Sequence, residues 1–213
     1  HRPLLRMTVR EHLLARADDD RPGLLFEDRS WSWSEVVNES AIRATVLDTL
    51  LDDARPTHVG LLADNVPEFA FVLGGAALAG QVVVGLNSTR RGAALAGDIK
   101  RTDVQVVLVE PHLRDLLPDD LPVEVIDLTG ARWQSLLAAH AEGVVPDREV
   151  GADDLLMLIF TSGTSGDPKA VRVTHQKVAG PGVMLGERFG LSAGEAQDVA
   201  YVAMPMFHSN AIM

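Results

Sequence analysis

The chain predicts an α/β fold, a largely parallel sheet with helices layered against it. Short runs rich in Val, Leu and Ile alternate with amphipathic segments of helical period. That alternation is the pattern of βαβ units. Several apolar runs, such as Val106–Val109 and Leu155–Phe160, are continuous, as strands buried on both faces require. Gly and Pro stand at the junctions, where helices and strands change over.

The elements follow in order. Thr8-x-x-Glu11 is a capping box that predicts a short helix to about Ala17. Asp18-Asp19-Asp20 reads as a solvated turn. Leu24–Phe26 and Trp31–Trp33 flank four polar residues and predict a hairpin. Ser32-x-x-Glu35 caps a helix to about Leu51, with Val37, Ala41, Ala44, Leu47 and Leu51 on one side. A strand over His58–Ala63 follows, then a helix opened by Pro67 and closed before Gly80.

Next come strand Gln81–Val84, helix Arg91–Lys100 and strand Val104–Val109. A short helix near Pro111–Leu117, strand Val123–Asp127 and helix Ala131–Ala141 complete the first part. The Gly-, Pro- and acid-containing loop Glu142–Asp154 predicts a boundary, with residues 1–150 in one subdomain and 151–213 opening the next. Beyond it we expect strand Leu155–Phe160, strand Val171–Thr174, a helix capped by Thr174 to about Phe189, and a buried strand over Asp198–Ala203.

Composition excludes several functions. A net charge of −11 argues against nucleic-acid binding, which needs a basic face. The absence of cysteine rules out disulfides and thiolate metal sites and fits a reducing compartment, so a cytoplasmic location is expected. No apolar run reaches the roughly 18 residues that span a bilayer. The histidines His12, His58, His112 and His140 show no ligand spacing and read as structural or exposed, so no metal site is expected. Met184, Met204 and Met206 read as core filling, and Trp31, Trp33 and Trp133 as packing residues.

One segment carries chemistry. Thr161-Ser162-Gly163-Thr164-Ser165-Gly166-Asp167-Pro168-Lys169 places hydroxyls, glycines and a lysine directly after an apolar strand. Glycines let backbone N–H groups approach a phosphate, hydroxyls donate to it, and the lysine supplies positive charge. The chain has 19 basic residues, of which only Lys100, Lys169 and Lys177 are lysines. The order differs from G-x-x-x-x-G-K-[ST], and Pro168 followed by alternating Val171-Arg172-Val173 predicts a second strand where that motif needs a helix. An unrelated phosphotransferase is therefore disfavoured.

These residues resemble the phosphate loop of the adenylate-forming superfamily, which includes acyl-CoA synthetases, luciferases and peptide-synthetase adenylation domains. Only Ala170 departs, standing where that family has glycine. Weaker likenesses run the length of the chain: Ala63-Asp64-Asn65 before Pro67-Glu68-Phe69, Ala79-Gly80 leading to Leu86-Asn87 with Gly85 where proline is usual, and Pro205-Met206-Phe207-His208. Ala211 stands where the last of these has glycine.

The resemblance implies the N-terminal part of a fatty-acyl-CoA synthetase, with the layered α/β large domain incomplete. Such an enzyme joins a carboxylic acid to AMP from ATP, with Mg2+, and passes the acyl group to CoA. It implies that Thr161, Ser162, Gly163, Thr164, Ser165, Gly166 and Lys169 hold the phosphates and that His208 orients the carboxylate. The magnesium ligand and the catalytic lysine are expected beyond Met213. A sheet interrupted in this way predicts an inactive fragment that aggregates or forms a homodimer. Peripheral membrane attachment is left open. The competing reading is a non-catalytic nucleotide- or partner-binding protein derived from the same family.

Overall fold

Thr8 and Ser32 open the first two helices in the same way. In the computed structural model, which describes residues 7–161, 168–191 and 198–212, each hydroxyl accepts the N–H of the glutamate three residues on. Each glutamate in turn accepts the cap residue's N–H, at 2.6 Å for Glu11 and 2.7 Å for Glu35. Helix α1 covers Val9–Leu14 and α2 covers Trp33–Leu50. The first helix stops three residues short of expectation, because the N–H groups of Arg16 and Ala17 turn back to the carbonyls of Leu13 and Leu14. Between the helices, β1 (Pro22–Phe26) and β2 (Arg29–Ser32) form the antiparallel hairpin. Trp33 begins α2 and does not extend the strand.

Strands β3 (His58–Leu62), β4 (Val82–Gly85), β5 (Val106–Val109), β6 (Glu124–Asp127), β7 (Leu155–Thr161) and β8 (Lys169–Thr174) follow. Among the described residues they form one six-stranded sheet in the order β6-β5-β3-β4-β7-β8. The first five run parallel, and β8 is antiparallel to β7. Residues beyond 150 thus add their strands to the same sheet as those before it.

Helices cover both faces. On one, α2 with α3 (Pro67–Ala79) and α5 (Ala131–Ala139) buries Leu47, Phe69, Val72 and Trp133 against Val59, Leu61, Leu108 and Ile159. On the other, α4 (Ala93–Arg101) and the 3-10 helix Pro111–Leu116 bury Leu95, Ile99 and Leu113 against Val84, Val107 and Leu158. Burial on both faces explains the unbroken apolar runs of β4 and β5.

Two glycines set the helix spacing. A Cβ on Gly75 of α3 would stand 2.8 Å from the Ala44 nitrogen and the Arg43 Cβ of α2, and one on Gly74 would collide with Ser40. Over this close contact lies a charged cluster. Arg43, 6% exposed at its side chain, donates to both carboxylate oxygens of Glu68 at 2.8 and 2.7 Å and also pairs with Glu39. Trp133 Nε1 donates to the same Glu68 at 3.1 Å.

The last part departs from expectation. Helix α6 (His175–Phe189) opens on Thr174, whose hydroxyl accepts the Lys177 N–H, and closes at Gly190 with φ of 61°. The buried strand expected over Asp198–Ala203 does not form; Val199, Tyr201 and Val202 are exposed. A strand needs a ladder, and the carbonyl of Val202 bonds instead to the Asn65 side chain. A short helix, α7 (Ser209–Ile212), follows. Met184 and Met204 are exposed, contrary to their core assignment, while Met206 does pack on the core. Among the described residues no helix is long and apolar enough to cross a membrane.

Candidate functional site

The expected loop begins and ends on paired strands. Thr161, the last residue of β7, is the direct ladder partner of Lys169, the first of β8. Lys169 opens a strand and not a helix, as Pro168 and the alternation Val171-Arg172-Val173 predict. Both side chains are exposed. Ala170, paired with Phe160, sits in extended backbone, so its methyl is accommodated. Ser162, Gly163, Thr164, Ser165 and Gly166 lie outside the described residues.

His208 arrives at the same edge by another route. Phe207 is 5% exposed and belongs to the core cluster containing Met157 and Ile159. It rests on Gly85, the last residue of β4, where a Cβ would stand 3.2 Å from the Phe207 Cα and 2.7 Å from Met157 Cε. A proline ring would not fit that contact, which accounts for glycine at this position. The half-buried His208 ring lies 4.7 Å from the Phe207 ring, tilted by 46°. The backbone N–H of His208 donates to the Pro205 carbonyl at 2.9 Å.

Sheet geometry relates the two parts. Gly85 is the ladder partner of Ile159. Thr161 lies two residues further along β7, on the same face by strand alternation. One strand across and two residues along is roughly 8 Å. The seat of Phe207 and the root of the loop therefore adjoin at the carboxyl edge of the parallel strands, where open α/β sheets bind ligands.

Three polar groups were not given functional roles by the sequence. Asp64 and Glu110 follow β3 and β5, and His112 Nε2 stands 2.9 Å from Asp64 Oδ2. These three offer ligand atoms within 4.8 Å of one another, but they are tied together, since Glu110 also accepts the Asp64 N–H at 2.6 Å. His175 is the first residue of α6, yet its side chain is fully buried and neither ring nitrogen has a hydrogen-bond partner among the described residues. Burial lowers its pKa to about 4, against the opposing pull of Asp154. Asn65 fastens the segment before His208, a contact 137 to 141 residues apart in sequence that no local pattern announces.

Comparison with known proteins agrees with this architecture. The family of AMP-binding enzymes matches residues 12–213. The medium/long-chain-fatty-acid–CoA ligase FadD17 of Mycobacterium tuberculosis is 47% identical over 206 residues, 97% of this chain. Steroid-22-oyl-CoA synthetase of Rhodococcus jostii is 41% identical over 218 residues, 99% of this chain. The chain spans about 40% of the length of these relatives. Among solved structures, the inhibitor-bound N-terminal domain of FACL13 from Mycobacterium tuberculosis superposes with a TM-score of 0.77 at 25% identity, covering 94% of this chain and 52% of that one.

Proposed function

We propose, because the chain belongs to the AMP-binding enzyme family, that it is the N-terminal part of an acyl-CoA synthetase acting on a fatty acid. A carboxylate oxygen attacks the α-phosphorus of ATP, and the bond to the bridging oxygen breaks to release pyrophosphate. The CoA sulfur then attacks the acyl carbon, AMP leaves, and the thiol proton passes to solvent. The observation that carries this reading is the loop sequence mounted between antiparallel strands, with Thr161 opposite Lys169.

The first step brings two anions together, so the protein must neutralise and position charge. Thr161, Ser162, Gly163, Thr164, Ser165 and Gly166 supply hydroxyl and backbone donors to the β- and γ-phosphates. Lys169 adds a cation at the loop root, which favours the departing pyrophosphate. Glycines in the loop suit a segment that closes over ATP and reopens. His208 orients the attacking carboxylate, held roughly one strand away by Phe207. Mg2+ enters with ATP, held mainly by its phosphates. The acid, ATP and CoA are the partners, and we place the protein in the cytoplasm or at its membrane surface.

The test is carboxylate-dependent exchange of labelled pyrophosphate into ATP by the full-length protein. Medium- and long-chain fatty acids should support it, and a steroid acid belongs in the same panel because of the Rhodococcus relative. ATP binding without exchange on any acid would favour the non-catalytic alternative.

A further inference from the structure

We propose that Asn65 is a positioning residue for His208, an inference that rests on the acyl-adenylation reading above. Asn65 follows the central strand β3, whose neighbours β4 and β5 lock it on both sides. Its carboxamide makes three bonds to one distant stretch of backbone. Oδ1 accepts the Met206 N–H at 2.8 Å. Nδ2 donates to the Met204 carbonyl at 2.9 Å and to the Val202 carbonyl at 3.3 Å.

The orientation of the amide is fixed by its partners. A backbone N–H can only face the oxygen, and two carbonyls can only face the NH2 group. Among side chains of this length, only a carboxamide both accepts and donates here; aspartate would present oxygens to two carbonyls, and leucine would leave all three groups unsatisfied. Among the described residues the segment has no sheet ladder of its own, so these bonds stand where a ladder would. One residue, Phe207, separates the clamp from His208, and Phe207 is seated on Gly85. His208 is therefore held by a polar anchor and an apolar anchor, both on the sheet's carboxyl edge.

The experiment uses the full-length protein with Asn65→Ala and Asn65→Asp. The alanine variant removes all three bonds; the aspartate variant keeps the acceptor for Met206 and loses both donors. Hydrogen exchange of a peptide spanning 204–208 should quicken roughly tenfold in Asn65→Ala and less in Asn65→Asp. In pyrophosphate exchange, kcat should fall and the carboxylate KM should rise, each by roughly tenfold, while the ATP KM stays unchanged. A merely structural role would move both KM values together with thermal stability.

Unchanged exchange over 204–208 in Asn65→Ala would overturn the clamp. Faster exchange with unaltered kinetics would overturn its positioning role. If the alanine variant does not fold, Asn65→Asp is judged by the same two readouts. If the wild-type protein shows no pyrophosphate exchange, the acyl-adenylation reading fails and the catalytic role of Asn65 falls with it. The clamp itself is then still decided by hydrogen exchange.

Discussion

The helical layer of α2 and α3 and the stretch from α6 to residue 204 are built on opposite terms. In the first, Gly74 and Gly75 let two helices touch at backbone distance, and Arg43, Glu68 and Trp133 satisfy one another above the contact. In the second, Met184, Leu185, Phe189, Leu191, Val199, Tyr201, Val202 and Met204 all face outward. The base of α6 belongs with the first region, since His175 is fully buried there. Phe207 joins the packed core, whereas His208 is half-buried and Thr161 and Lys169 are exposed, so the site stands at the margin between the two regions. Substitutions should separate stability from activity accordingly.

The largest effect is expected at the charged cluster. Arg43→Ala leaves the Glu68 carboxylate without its cation against the helix pair, and loss of one partner from such a buried pair costs about 3–5 kcal/mol. Chemical denaturation would show it as a lower midpoint. A loss no greater than that of a surface mutation would mean that the cluster does not organise the helical layer.

The base of α6 should confer pH dependence. His175 titrates near 6.5 when unfolded and about 4 when folded. Between those values the unfolded chain holds more protons, so stability is full above pH 6.5 and is lost as pH falls toward 4. The loss amounts to roughly 3 kcal/mol. His175→Leu should flatten this part of the profile of denaturation midpoint against pH. An unchanged slope would show that the imidazole is not the group responsible.

Next is the glycine contact. Gly75→Val must push the Arg43 and Ala44 backbone apart and should destabilise by about 1–3 kcal/mol in a thermal melt. The smallest effect belongs to the open region. Phe189→Ser should change stability by no more than about 0.5 kcal/mol and reduce binding of a hydrophobic dye by this chain. A cost at Phe189 equal to that at Gly75 would erase the contrast between the two regions.

Local features were legible in the sequence, and distant ones were not. The two capping boxes, Pro67 at the start of α3 and the left-handed Gly80 at its end are each fixed by neighbours a few residues away. The Arg43–Glu68 pair joins residues 25 apart, and the need for glycine at 75 exists only once α2 lies against it. Residues 198–203 have strand-forming side chains, but no ladder reaches them among the described residues, so propensity misled. For the site, the strand-loop-strand setting of Thr161 and Lys169 was readable from Pro168 and the alternation after it. The placing of Phe207 on Gly85 was not, because it depends on which strands pair.

The most direct test of the central claim is Lys169→Ala in the full-length protein, assayed by fatty-acid-dependent pyrophosphate exchange alongside a thermal melt. Lys169 is exposed on β8, so the melt should barely move. Loss of a cation on the departing pyrophosphate should lower exchange by about 100-fold or more. Exchange at the wild-type rate in a folded Lys169→Ala protein would contradict the assignment of this loop to ATP.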